Sequence, residues 1–182
     1  MFRKIYFDFT DELKHASKYN YLVTVTQKDK YLFVFDFVTI VIKDYRRNKM
    51  KKKVAFVCIH NSCRSQMAEG FANKFGSHII EAYSAGTARY SQVKPLAVKV
   101  MEQSGIDMSN HYPKLLSDIP ANIDILVTMG CGVECPYLPC SHREDWGLVD
   151  PSGGPIEGFE NTRDIIKEKV LDLIKRVENG DL

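Results

Sequence analysis

Two groups of residues in this 182-residue chain have the types and spacing to do chemistry. The first is the run Cys58-Ile59-His60-Asn61-Ser62-Cys63-Arg64-Ser65, in which an arginine follows a cysteine by six positions. Such a loop, set between a strand and a helix, turns successive backbone N–H groups around a tetrahedral oxyanion. The positive end of the helix assists, and a guanidinium can grip two oxygens at once. The same donors favour the thiolate of Cys58, the form in which a thiol is a nucleophile. Ser62 and Ser65 are placed to donate hydroxyl hydrogens to that sulfur. The competing reading is a buried structural cysteine at a strand end, with Arg64 an ordinary helix-start residue. The spacing alone recurs by chance; the apolar strand before it and the helix after it favour the catalytic reading.

The second group is Met129-Gly130-Cys131-Gly132-Val133-Glu134-Cys135-Pro136. Glycines permit movement, and Cys131 and Cys135 could close into a disulfide if the backbone rearranges. Two thiols supply two electrons, which an ester hydrolysis does not need. Cys131, Cys135, Cys140 and His142 also suggest metal binding. Structural zinc sites, however, pair short spacings on two knuckles, and no metal ligand set is assigned here. Asp150, followed by Pro151-Ser152-Gly153-Gly154, reads either as an acid on a loop or as a turn-forming residue. Cys63, beside Arg64, reads as a packed thiol, and Cys140 as a surface thiol or an alternative partner for Cys131.

The elements that must position these groups follow from periodicity. Val54 to Cys58 reads as a buried strand. A helix runs from Arg64 to Phe75 and stops at Gly76, where a positive φ is expected. His78 to Tyr83 is a second strand and Ser84-Ala85-Gly86-Thr87 a turn. Pro95 starts a helix, with Leu96, Val98, Val100 and Met101 apolar, and Gly105 stops it. Ile123 to Met129 is a third strand, Glu144 to Leu148 a short fourth, and Pro155 to Val177 a closing helix. This alternation predicts an α/β domain over residues 50–182, a parallel sheet with helices on its faces.

Residues 1–49 differ. They contain no Gly, Pro or Cys but 11 of the 20 aromatic residues, and the composition changes at Met50. Either they form an extension in which Tyr21 to Thr26 and Tyr31 to Ile42 pair as a hairpin, or translation begins at Met50. The net charge of +2 is too small for a nucleic-acid or membrane-surface protein. No segment reads as a signal peptide or membrane span, and five cysteines in two short stretches do not resemble a secreted disulfide framework. A cytoplasmic monomer is expected.

From Met50 onward the chain resembles a known family. Val57-Cys58, Asn61-Ser62-Cys63-Arg64-Ser65-Gln66-Met67-Ala68-Glu69-Gly70, Tyr83-Ser84-Ala85-Gly86, Ile106-Asp107-Met108-Ser109-Asn110-His111, Trp146-Gly147 and Asp150-Pro151 look like the thioredoxin-coupled arsenate reductases. These share the fold of low-molecular-weight protein tyrosine phosphatases. The resemblance implies a four-stranded parallel sheet flanked by helices, with the oxyanion loop after the first strand. It also implies arsenate as substrate, thioredoxin as electron donor, no tightly bound cofactor, and a role in arsenic detoxification. Cys58 would be the nucleophile, Arg64 the clamp, Asp150 the acid, and Cys131 and Cys135 the thiol relay.

There are departures. Ile59-His60 stands where the best-known relatives carry Thr-Gly, and three residues rather than six separate Cys131 from Cys135. Some members bind potassium behind the loop through residues corresponding to Asn61, Glu69 and Ser84, with a fourth, acidic ligand corresponding to Lys114. An ammonium there would supply the charge itself, which implies activity indifferent to potassium. A phosphatase sharing the loop and the acid is the alternative enzyme, and a non-catalytic oxyanion-binding or redox-sensing module is the third reading.

Overall fold

The computed structural model describes residues 51–130 and 138–182. The extension at residues 1–49, Cys131 and Cys135 lie outside the described residues. Four parallel strands form the sheet, in the order β2-β1-β3-β4: β1 Lys52–Cys58, β2 Ile80–Gly86, β3 Ile125–Thr128 and β4 His142–Asp145. Among the described residues three α-helices accompany them, α1 Arg64–Gly76, α2 Pro95–Gln103 and α3 Ile156–Asn179, with a 3₁₀ turn at Leu116–Asp118 that the sequence pattern did not signal.

Alternation along β1 divides the interior, because successive side chains of a strand face opposite ways. Val54, Phe56 and Cys58 join the apolar residues of all three helices, Met67 and Phe71 from α1, Val100 and Met101 from α2, and Ile166, Val170 and Leu173 from α3. Ala55 and Val57 face the other way, toward Ala85, Ile119, Ile123 and Leu126. Cys140, half-buried, packs against this second cluster. Among the described residues no helix is long and apolar enough to cross a membrane.

Several boundaries differ from the sequence reading for physical reasons. Ser84-Ala85-Gly86 is the end of β2, not a turn: Gly86 pairs with Cys58 and its amide donates to the Lys114 carbonyl at 2.7 Å. A Cβ on Gly86 would lie 2.7 Å from the Ile59 carbonyl oxygen, so glycine lets the oxyanion loop rest on the strand. Gly76 adopts no positive φ but closes the last turn of α1, where a Cβ would meet the Ile174 side chain at 2.9 Å. Its role is close helix packing. Gly105 does take a positive φ, 67°, past the end of α2, and Pro95 is the first residue of that helix, both as expected. The fourth strand sits earlier than the expected Glu144 to Leu148. At Trp146 the chain folds inward, its amide donating to the Thr128 carbonyl at 2.8 Å, and Gly147 then takes φ 60°.

Glu144 fastens β4 to α3. It receives Nη1 and Nη2 of Arg176 at 2.9 Å each, the Trp146 indole at 2.7 Å and lies 3.1 Å from His142 Nε2. Burial pushes the carboxyl up, but these hydrogen bonds outweigh it and bring the group from 4.5 to about 2. Because the folded value lies below the unfolded one, the stabilisation is fully present above pH 4.5 and is lost as pH falls from there toward 2. Glu144→Gln should therefore lower stability by about 2 kcal/mol at neutral pH and by less than half as much at about pH 3. Urea unfolding at both pH values checks this. An equal loss at each would mean that shape, not ionisation, matters at this position.

Candidate active site

The oxyanion loop leaves β1 at Cys58 and enters α1 at Arg64. Asn61, wholly buried, makes the turn possible with φ 49°, a left-handed conformation that asparagine tolerates better than most residues. Both ends of its side-chain amide are engaged. Nδ2 donates to Ser65 Oγ at 2.8 Å, while Oδ1 accepts from the Lys114 amide at 2.7 Å and from Gln66 Nε2 at 2.8 Å. Ser65 Oγ, which accepts from Asn61, lies 3.0 Å from Cys58 Sγ, and toward a thiolate there it can only donate. The Asn61 amide donates to the same sulfur at 3.2 Å. Two donors thus converge on Cys58, as an anion on sulfur requires. Ser62 is not hydrogen-bonded to the sulfur, contrary to the sequence expectation, although it lines the pocket.

The segment after β2 is stitched to the outside of the loop. The amides of Thr87, Ala88 and Lys94 donate to the carbonyls of Cys58, Ile59 and Ser62 at 3.2, 2.8 and 2.8 Å. With those carbonyls engaged on the outer side, the loop is held in a curl.

Arg64 is 5% exposed, and its five N–H groups can be accounted for. Nη1 donates to the carbonyls of Met129 and Leu148 at 3.0 and 2.7 Å, and Nη2 to Asp150 Oδ2 at 3.0 Å. This leaves Nε–H and one Nη2–H, two donors of the kind with which a guanidinium grips oxygens of a tetrahedral anion. Arg64 also ties the loop to Met129, the residue after β3 and two positions before Cys131. At Gly130 a Cβ would come within 2.5 Å of the Leu148 amide, and φ is 77°, so only glycine fits that junction.

Cys58, Ile59, His60, Ser62, Cys63, Arg64, Asp150 and Ser152 line one pocket. The structure therefore brings together Cys58, Ile59, His60, Ser62, Cys63, Arg64 and Asp150 and adds Ser152, whereas Asn61 and Ser65, wholly buried, do not line the pocket. Burial pushes the Asp150 carboxyl up, but the Ser152 hydroxyl and amide, with Arg64 and Lys94, hold it below the usual carboxylate range. Burial raises the Cys63 thiol to about 12, reinforced by the negative charge of Asp150 and Cys58. Cys63 therefore stays protonated, in keeping with a packed thiol.

Behind the loop lies a polar network that the motif only partly revealed. Lys114 Nζ is 3.0 Å from Glu69 Oε2, and Ser84 Oγ donates to the same oxygen at 2.6 Å. The ammonium occupies the place the resemblance suggested for it, beside Glu69 and Ser84. Gln66 Nε2 donates to the Tyr112 carbonyl at 2.8 Å, and Gln66 Oε1, which can only accept, lies 2.8 Å from His111 Nδ1. Burial lowers the His111 pKa, so at neutral pH the ring is the neutral tautomer with its proton on Nδ1.

Comparison with known proteins agrees with this site. The sequence profile of the low molecular weight phosphotyrosine protein phosphatases matches residues 53–134. The chain is 42% identical over 130 residues to the glutaredoxin arsenate reductase of Synechocystis, covering 69% of this chain and 98% of that protein. It is 42% identical over 121 residues to the arsenate reductase of Staphylococcus aureus strain Newman, covering 64% of this chain and 92% of the relative. Among solved structures, an arsenate reductase in the phosphate binding state superposes with TM-score 0.65 at 41% identity, covering 69% of this chain and 98% of that one. A thioredoxin-dependent arsenate reductase of Corynebacterium glutamicum does so with TM-score 0.62 at 26% identity, covering 80% and 73%. At this level of identity over nearly the whole length of the curated relatives, the chain belongs to the arsenate reductases built on the low molecular weight phosphotyrosine protein phosphatase fold.

Proposed function

We propose that the chain reduces arsenate to arsenite with two electrons from its own thiols and is reset by a thiol reductant, as a cytoplasmic monomer serving arsenic detoxification. The observation that carries this reading is the convergence of Ser65 and Asn61 on Cys58 Sγ, with Cys58 and Arg64 lining the same pocket. A thiolate nucleophile and a two-oxygen clamp are what attack on a tetrahedral oxyanion needs.

In this mechanism the Cys58 thiolate attacks arsenic and displaces one oxygen, which leaves as water once protonated. Asp150 is the acid. Its carboxyl is ionised in the unliganded site, and the arrival of a dianion beside it, drawing on the Arg64 fork, raises its proton affinity so that it takes up the proton it later delivers. Cys131 then attacks the Cys58 sulfur. The electron pair of the sulfur–arsenic bond leaves with arsenic, which is thereby reduced to arsenite, and a Cys58–Cys131 disulfide forms. Attack by Cys135 on Cys131 releases the Cys58 thiolate and leaves a Cys131–Cys135 disulfide for the external reductant. The names of the relatives support either thioredoxin or glutaredoxin in that role; thioredoxin, able to reduce an exposed protein disulfide directly, is our choice.

The test is arsenite release with thioredoxin, thioredoxin reductase and NADPH, with glutaredoxin and glutathione as a second arm and aryl-phosphate hydrolysis as a third. Thioredoxin-supported turnover with only weak phosphatase activity is expected. The reverse pattern would make the protein a phosphatase, the reading favoured by the family profile. Cys131→Ser should abolish multiple turnover while leaving attack by Cys58 possible. Undiminished steady-state reduction by that variant would refute the relay.

A further inference from the structure

Beside the pocket, joined to it through His60, lies a cluster that the thiol chemistry does not use. His60 lines the pocket, and its ring packs against Tyr90, centroids 5.2 Å apart. Lys94 Nζ lies 5.1 Å from the Tyr90 ring centroid and 3.3 Å from the Tyr90 hydroxyl, to which it donates. The backbone under this triad is fixed to the loop itself, since the Ala88 and Lys94 amides donate to the Ile59 and Ser62 carbonyls. Lys94 is therefore not a wandering surface lysine: its main chain is bonded to the oxyanion loop, and its ammonium is directed by an aromatic ring that is itself seated on the loop.

The charge of the pocket explains why such a group is needed. Arg64 is met by the Asp150 carboxylate at 3.0 Å, and a thiolate on Cys58 adds a second negative charge. A tetrahedral dianion approaching these three groups gains no net attraction from them at a distance. Lys94 shifts that balance, and its field is felt at both Asp150 and Cys63, each of which lines the pocket.

We propose that Lys94, held over Tyr90 against His60, is a specificity-determining residue that draws tetrahedral dianions into the Cys58 pocket. It acts at a distance, on capture, and leaves the bond-making steps to Cys58 and Arg64. The proposal rests on the reading that the site takes a tetrahedral oxyanion, but it can be tested without turnover.

The probe is inorganic phosphate, an unreactive tetrahedral anion, titrated calorimetrically into the full chain and its Lys94→Gln and Lys94→Arg variants at about 20 mM and 200 mM salt. One unit charge acting on a dianion across about 10 Å of water, partly screened at low salt, corresponds to an affinity change of about two- to three-fold, shrinking as salt is added. Lys94→Gln should show that loss, Lys94→Arg should retain most of the affinity, and Lys99→Gln, an exposed charge on α2, should bind like the parent. In arsenate kinetics the Lys94→Gln loss should reside in KM, with kcat little changed. Equal phosphate affinity in Lys94→Gln and the parent at low salt would overturn the proposal while leaving arsenate reduction standing. So would a loss that is unchanged by salt or shared by Lys94→Arg. Failure of the parent to bind phosphate at all would overturn this proposal and the oxyanion reading together, whereas phosphate binding without arsenite release would overturn only the reductase.

Discussion

Arg64→Lys is expected to lower kcat/KM for arsenate by about a thousand-fold, although the charge is kept. The reason is the division of labour among the guanidinium hydrogens. Three of them are committed within the protein, to the carbonyls of Met129 and Leu148 and to Asp150, and in the proposed mechanism the remaining two hold the substrate. An ammonium has three hydrogens radiating from one point and cannot serve both sets. If it turns toward the oxyanion it abandons two buried carbonyls, and if it stays with them the oxyanion loses its fork. The same variant should be destabilised by about 2 to 4 kcal/mol, since each orphaned buried carbonyl costs roughly 1 to 3 kcal/mol and a lysine can recover part of that. Kinetics measured well below the melting temperature separate the two effects. A loss of less than about ten-fold in kcat/KM would show that point charge alone suffices at this position and that the edge geometry is not what binds the anion.

This expectation also marks what could be read from the chain before its structure was known. The loop was legible because its information is local: cysteine, arginine and serines lie within eight consecutive residues, between a strand and a helix whose apolar patterns are plain. The parallel sheet was legible for the same reason. The carbonyl partners of Arg64 were not, because they lie 65 and 84 positions away and carry no side-chain signature. Glycines misled where they serve packing. Gly76 looked like a left-handed helix stop and proved to make room for Ile174, while Ser84-Ala85-Gly86 looked like a turn because small residues also allow a loop to press on a strand end. The Tyr90 and Lys94 wall went unseen because the segment between β2 and α2 has no regular periodicity to place it. The Lys114–Glu69 pair stood between these cases. Residue types alone do not announce it, and only the resemblance put a lysine where relatives hold an acid.

That pair carries the second large prediction. Glu69 and Lys114 have side chains 11% and 14% exposed, and they face each other at 3.0 Å directly behind the loop. Removing one partner of a buried pair leaves an uncompensated charge, which typically costs about 3 to 5 kcal/mol, so Lys114→Met should lose about 3 kcal/mol, the lower end because Ser84 still donates to Glu69. Adding Glu69→Gln to Lys114→Met should restore much of the loss, because no ion then remains to be buried. A double-mutant cycle by chemical denaturation gives the coupling, and additive losses would show that the two residues act separately. The same geometry governs the response to potassium. With an ammonium already neutralising Glu69, exchanging sodium for potassium at constant ionic strength should change the parent's kcat/KM by less than about two-fold. Lys114→Asp should reverse that, since two carboxylates and the Ser84 hydroxyl would then offer oxygen ligands with no cation among them. The melting temperature of this variant should rise on addition of potassium, where the parent's does not. A several-fold stimulation of the parent by potassium would mean that the lysine leaves Glu69 when an ion competes for it, and that the ammonium is not the resident charge behind the loop.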